Sequence, residues 1–134
     1  SKIAKIKIIR QQLLPVQRDL IFNCPQQIVL VGGRDITSTV IPNNFSDIKL
    51  YIDCDVKVRA KRRYLELKNK KSEKNFDYEE ILKALKARDL ADSTRAISPL
   101  KKTKDSILID NSFNDISRPI NKISLLIERE IKKH

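Results

Sequence analysis

Gln27-Ile28-Val29-Leu30-Val31-Gly32-Gly33-Arg34-Asp35 is the stretch from which the fold is read. Its short continuous apolar run, stopped by two glycines, has the pattern of a strand buried on both faces of a parallel sheet. Gly32 and Gly33 are the only glycines in the chain, so a special backbone arrangement is expected where the strand ends. A charged pair follows at once. Arg34 and Asp35 stand just past the strand's carboxyl end, where open α/β sheets place their ligands.

Working outward, Ile3, Ile6, Ile9, Leu13 and Leu14 recur at helical spacing with Lys and Arg between them, which predicts a helix over 1–21. Pro15 is expected to kink or end it, and Pro25 closes the region. Downstream, Asp47 to Cys54 reads as a second strand. Asp53 or Asp55 then caps a helix running to about Lys68. Residues 69–76, polar and lysine-rich, read as a loop. Asp77 starts a further helix with Ile81, Leu82, Leu85 and Leu90 along one face, and Ser98-Pro99 ends the irregular stretch that follows. Ile107 to Asp110 is a third strand. A last helix from about Ile116 to Lys132 carries Ile120, Ile123, Leu126, Ile127 and Ile131 on its expected buried face. The apolar stripes over 3–14 and 116–131 are assigned to core packing. Strands alternating with helices predict an α/β fold, with about three parallel strands and flanking helices. There is no internal repeat.

Composition narrows the class. The 134 residues fit one domain, and 40% hydrophobic content suffices for one packed core. Dense, bounded apolar runs argue against intrinsic disorder, and none approaches the ~20 residues of a membrane span. Ser1-Lys2-Ile3-Ala4-Lys5 lacks the apolar core of a secretory signal. A cytoplasmic, monomeric protein is the expectation, with no membrane partner. Cys24 and Cys54 lie thirty positions apart and the single histidine is His134. That is no zinc pattern, so the cysteines are expected to be reduced core or edge residues and no metal ligands are assigned.

The formal net charge is +11 and the pI about 9.8, a balance that attracts polyanions. The charge is concentrated. Residues 55–74 hold nine Lys or Arg, Arg59, Arg62 and Arg63 among them, against three acids, a local excess of +6.

Four blocks then point one way. Gly33-Arg34-Asp35-Ile36-Thr37-Ser38-Thr39-Val40-Ile41-Pro42 resembles the Gly-Arg-Asp-Ile-Gly-Thr-Val-Val-Phe-Pro signature of bacterial cytidylate kinases. Arg59-Ala60-Lys61-Arg62-Arg63-Tyr64-Leu65-Glu66-Leu67 looks like the arginine-rich lid helix of that family. Arg88-Asp89-Leu90-Ala91-Asp92-Ser93-Thr94-Arg95-Ala96 with Ser98-Pro99-Leu100 is similar to its Arg-Asp-x-x-Asp-x-x-Arg-Ala-x-x-Pro-Leu. Ser106 to Asp110 with Ser112 matches its closing strand. Before the Gly-Arg-Asp turn, Ser1, Ile3, Ala4, Arg10, Leu13, Leu14, Gln17 and Arg18 fit its helix. The blocks are collinear, at nearly the family's spacing, and cover almost the whole chain. Thr37 stands where the family has glycine, Ser38 where it has threonine, and Gly32 where it often has an acid.

The resemblance implies a partial P-loop nucleoside monophosphate kinase fold, with 1–134 as the rear part of the kinase core and a lid-like segment at about 57–75. The Gly-x-x-x-x-Gly-Lys-[Ser/Thr] loop of such kinases cannot be built here, because the glycines at 32 and 33 are followed by Arg34-Asp35. That loop and the insert that clamps the monophosphate lie at the front in the family. The chain is therefore expected to be a rear fragment of a longer protein, inactive alone.

For the site, the resemblance implies transfer of the ATP γ-phosphoryl group to CMP or dCMP with Mg²⁺, the ATP and metal being held with the absent loop. Cytosine offers a ring nitrogen and a carbonyl as acceptors and an amino group as donor, so its site needs cationic donors beside a carboxylate. The resemblance assigns Arg10 and Arg95 as donors and Asp35 as acceptor; a surface ion pair worth roughly 0–1 kcal/mol is the alternative for such residues. It gives Arg34 the monophosphate oxygens, and Ser1, Arg88 and Asp92 the ribose. Arg88 and Asp92, four apart, can share a helix face and pair there. Arg59, Arg62 and Arg63 are implied to stabilise charge in the phosphoryl-transfer transition state, against the alternative of a solvated basic face. A small basic nucleic-acid-binding domain also explains +11. It predicts stacking aromatics or a groove-reading motif, and aromatics are only 5%, so specific nucleic-acid partners are not expected.

Overall fold

Strands β1 (Leu50–Asp53) and β2 (Ile107–Asp110) run parallel, with Leu50 opposite Ile107 and Asp53 opposite Asp110. The computed structural model describes residues 7–41, 45–69, 76–94, 96, 99–113 and 115–133. The ladder extends one step past each end of the strand pair. Ile107 donates its N–H to the Lys49 carbonyl at 2.9 Å, and Asn111 to the Asp53 carbonyl at 2.8 Å. Parallel strands need a long crossover. Here helices α2 (Val56–Asn69) and α3 (Tyr78–Thr94) supply it, and α4 (Ser117–Ile131) returns against β2. Ahead of the sheet stand α1 (Lys7–Phe22) and one turn of π-helix at Ile36–Val40.

The helix starts follow from capping carboxylates. Asp55 Oδ1 accepts from the N–H groups of Lys57 at 2.7 Å and Val58 at 3.3 Å, an N-cap worth about 1 kcal/mol. Asp77 Oδ1 accepts from Glu79 at 3.3 Å, and Glu79 and Glu80 then lie at the positive end of the α3 dipole. Asp115 Oδ1 accepts from Ser117 at 2.9 Å, and hydrogen bonding to Ser117 holds the Asp115 carboxyl below its ordinary range. Of the two expected caps for α2, Asp55 is the one used.

Two ion pairs fasten the elements. Lys49, buried at the foot of β1, donates to Asp105 Oδ2 at 2.5 Å. Arg59 in α2 forms a two-pronged pair with Asp89 in α3, at 3.0 and 2.5 Å. The same two helices pack with Ala60 and Leu82 buried and with the Tyr64 and Tyr78 rings edge to face at 6.5 Å. On β2, Lys122 of α4 donates to the Leu108 carbonyl at 2.9 Å.

Several expectations are corrected. Pro15 lies inside α1 and does not end it. Its missing N–H leaves the carbonyl four residues back, that of exposed Gln11, to water. The run Ile28–Gly32 is not a strand. It is coil, with Leu30 96% exposed, because no strand among the described residues lies beside it to complete a ladder. The sheet therefore has two strands where about three were expected. β1 covers only Leu50–Asp53 of the predicted 47–54, whereas β2 matches its predicted bounds. The α1 and α4 stripes do not form a core. Leu13, Ile120, Ile127 and Ile131 are exposed, Ile9 and Leu14 of the α1 stripe and Ile123 and Leu126 of the α4 stripe are half-buried, and Ile3 and Ile6 lie outside the described residues. The glycine expectation holds only at Gly33. A Cβ there would stand 2.7 Å from Ile36 Cγ1, whereas Gly32 faces open space, and neither glycine is left-handed. The residues expected as a loop at 70–75 lie outside the described residues.

Among the described residues the buried apolar set is small: Val40, Ile41, Ala60, Leu82 and Ile109. The chain presents 10774 Å² to solvent. A compact chain of 15.5 kDa presents roughly 7,200 Å². Many large apolar side chains stay in water, Leu20, Ile28, Leu30, Leu90 and Ile116 among them. Cys24 and Cys54 are free and half-buried. Among the described residues no helix is long and apolar enough to cross a membrane.

Candidate nucleotide site

Adjacent residues Arg34 and Asp35 reach different helices. Asp35 forms an ion pair with Arg10 of α1, and Arg34 forms one with Asp92 near the end of α3. The turn between them thus ties the first helix to the third. All four side chains are partly buried, Asp35 and Asp92 most deeply at 14% and 15% exposure. Half-buried guanidinium–carboxylate pairs are stronger than surface pairs and hold their geometry. The two pairs therefore set guanidinium donors beside carboxylate acceptors at one turn.

The turn after Asp35 is held by its own backbone. The Asp35 carbonyl accepts from Thr39 at 2.9 Å and Val40 at 3.3 Å, and Ile36 accepts from Ile41 at 2.8 Å. The Ser38 hydroxyl also reaches the Asp35 carbonyl at 3.4 Å. Thr37 and Ser38, where the resembled family has glycine and threonine, sit within this turn.

Arg59 lies close by in electrostatic terms. Besides its two bonds to Asp89 it donates Nε–H to the Cys54 carbonyl at 2.9 Å. The hydrogen bond to Asp89 raises the Arg59 pKa. The Asp89 carboxyl is held below its ordinary range, first by that hydrogen bond to Arg59 and then, through space, by Arg59, Arg34 and Arg88. Arg62 donates to the Phe113 carbonyl at 2.9 Å and lies 3.6 Å from Cys54 Sγ. Arg63 pairs with Glu66 at 2.8 Å, on the surface.

The structure brings Arg10, Arg34, Asp35 and Asp92 together. Asp92 takes Arg34 as an ion-pair partner, while Arg88, four residues earlier, is exposed beside Asp89. Arg59 bonds to Asp89 and the Cys54 carbonyl, Arg62 to the Phe113 carbonyl and Cys54 Sγ, and Arg63 to Glu66. Ser1 and Arg95 lie outside the described residues. Sequence reasoning missed two contributors. Asp89 follows Arg88 in the same motif and could have been singled out as the nearest acid to a lid arginine. Arg18 matches the resembled family's helix but is given no role, since its bonds to carbonyls 21 and 22 residues ahead cannot be read from sequence.

The fold is α/β, with guanidinium and carboxylate groups gathered at the Arg34–Asp35 turn. Comparison with known proteins defines it further: the chain matches the cytidylate kinase family over residues 1–129, and it belongs to that family of nucleoside monophosphate kinases. It is 43% identical over 129 residues to a cytidylate kinase of Fusobacterium nucleatum, covering 96% of this chain and 56% of that protein. It is 37% identical over 131 residues to one from Caldicellulosiruptor saccharolyticus, covering 98% and 55%. Against one from Bartonella henselae it is 41% identical over 132 residues, covering 98% and 59%. The chain spans a little over half the length of the curated relatives it matches.

Kinases of this kind work with ATP and Mg²⁺, and the residues in hand do not fit either. There is no glycine-rich loop to cradle a triphosphate. Among the described residues no group of three or more His, Cys, Asp or Glu gathers where a metal could bind.

Proposed function

We propose that these residues form the monophosphate side and lid of a kinase that transfers the γ-phosphoryl group of ATP to CMP or dCMP, giving CDP or dCDP. In that reaction a phosphate oxygen of the monophosphate bonds to the γ-phosphorus as its bond to the ADP oxygen breaks. Such chemistry needs positioning and electrostatics more than covalent help from the protein. ATP and Mg²⁺ are assigned to a further segment bearing a phosphate loop. The observation that carries the reading is the Arg34–Asp35 clip, in which two half-buried ion pairs set donors and an acceptor side by side.

The roles proposed are those that the resemblance to the family implies. Asp35 accepts the exocyclic amino group of cytosine while Arg10, already bonded to it, donates to the base. Arg95 is assigned as a second donor to the base. Arg34 binds the monophosphate. Asp92 accepts from ribose hydroxyls, with Ser1 and Arg88 assigned to the same sugar. Arg59, Arg62 and Arg63 are assigned to transition-state charge, which for Arg59 requires its guanidinium to leave Asp89. The same reading places the protein in the cytoplasm, as a monomer in pyrimidine nucleotide metabolism.

The test is turnover. The verified 134-residue chain, free of host kinase, should give no CDP from CMP, ATP and Mg²⁺, while the complete kinase with its phosphate-loop segment should. CDP formed by the short chain alone would overturn the division of labour proposed here.

A further inference from the structure

The Arg34–Asp35 clip continues into the π-turn, and α1 holds that turn at both ends. At its start, Arg10 pairs with Asp35. At its end, Arg18 donates Nε–H to the Val40 carbonyl at 2.9 Å and Nη2–H to the Thr39 carbonyl at 3.2 Å. Arg10 and Arg18 stand eight residues apart on one helix, about 12 Å along its axis.

One turn of helix has no stability of its own, because ordering its backbone outweighs the one or two bonds it makes. Its last carbonyls also lack partners within the turn. Here the Thr39 and Val40 carbonyls are those carbonyls, and the Arg18 guanidinium satisfies both with its planar fork of donors. The turn is compact enough to transmit the effect. Ile36 packs so closely on Gly33 that a Cβ there would be 2.7 Å away, and the Thr39 and Val40 N–H groups bond back to the Asp35 carbonyl. Val40 itself is 2% exposed. A shift at residues 39 and 40 is therefore passed to Asp35.

We infer that Arg18 is a positioning residue for base selection. By capping the turn it fixes the Asp35 carboxylate against Arg10, without touching the substrate. This rests on the proposed base-reading role of Asp35.

The experiment uses Arg18→Gln and Arg18→Lys in the complete kinase, with kcat/KM for CMP and UMP and amide hydrogen exchange of Thr39 and Val40. Arg18→Gln should lower the CMP-over-UMP ratio by about threefold or more, since small misplacements of a binding group are costly. It should also speed exchange of both amides by about tenfold or more, as the turn opens locally. Arg18→Lys, which keeps a donor on a flexible stem, should recover part of each. Adding Arg18→Gln to Asp35→Ala should not change the ratio further. Unchanged exchange in Arg18→Gln overturns the positioning role whatever happens to selectivity. An unchanged ratio in Arg18→Gln also overturns it, provided Asp35→Ala lowers the ratio. If Asp35→Ala leaves the ratio unchanged while Arg18→Gln speeds exchange, Arg18 still positions the turn and only the base-reading role falls. Failure of both Arg18 variants to fold would make Arg18 part of the general architecture, and would overturn the inference as well.

Discussion

Arg59 and Asp89 lock the base of the lid-like helix to α3 through two nearly parallel hydrogen bonds, at 3.0 and 2.5 Å. Both side chains are about a third or more exposed, 33% and 41%, so solvent screens the pair and its net worth is no more than about 1 kcal/mol. A lock of that strength can open when a phosphate offers Arg59 a better partner. Asp89→Asn keeps the shape and removes the charge. It should lower the urea midpoint slightly and lower kcat in the complete kinase more than it raises KM for CMP, because a loosened Arg59 is less well aimed. Steady-state kinetics of the variant decide this. A change in KM with kcat untouched would place Asp89 in substrate binding and not at the lid.

The pair at the foot of the sheet responds to acid. Hydrogen bonds from Lys49, then from Thr103, hold the Asp105 carboxyl down at about 2 against an ordinary 3.8. A carboxyl depressed by folding stabilises the folded state above its ordinary pKa, and that contribution is lost as pH falls through the depressed value. Urea midpoints should therefore decline between about pH 4 and pH 2. Asp105→Asn should flatten that part of the profile and lower the midpoint at pH 7, where it leaves the buried Lys49 ammonium without its carboxylate. An identical acid limb in wild type and variant would show that the pair contributes nothing.

Nucleic acid provides a control on the charge. The +11 balance will attract DNA or RNA at low salt, but Arg59, Arg62 and Arg63 are engaged with protein groups. Affinity should fall by orders of magnitude between low and physiological salt, the mark of counterion release without base contacts. Fluorescence anisotropy across a salt series measures it. Tight, sequence-selective binding at physiological salt would favour a nucleic-acid-binding domain over a kinase part.

These expectations show how far residues alone reach. β2, the α2–α3 pair and α4 were legible because their signals are local: a capping Asp at 55 and 77, helical spacing, a bounded apolar run. The Ile28–Gly32 strand was not, because a strand is completed by its neighbour, and an apolar run does not say whether that neighbour lies within the same 134 residues. At the turn, Arg34, Asp35 and Asp92 are singled out through the family resemblance, and the structure pairs Asp35 with Arg10 and Arg34 with Asp92. Their pairing was not legible. Spacing on one helix suggested Arg88 for Asp92, yet Arg34, far away in sequence, forms an ion pair with it. Pro15 misled too, because α1 runs through it, with the orphaned carbonyl belonging to exposed Gln11.

The most direct test of the whole account is the CMP-over-UMP ratio of kcat/KM for Asp35→Ala in the complete kinase, with Arg34→Ala beside it. Uracil presents a carbonyl where cytosine presents an amino group, so a carboxylate at that point attracts one base and repels the other. Removing it should lower the ratio about tenfold or more, since a hydrogen bond to a charged group is worth ~1.5–3 kcal/mol. Arg34→Ala should weaken both substrates together, because both carry the same phosphate. Circular dichroism confirms that each variant is folded. A ratio unchanged in Asp35→Ala, or altered as much in Arg34→Ala, would contradict the base-reading role and leave Asp35 as the carboxylate that holds Arg10 in place.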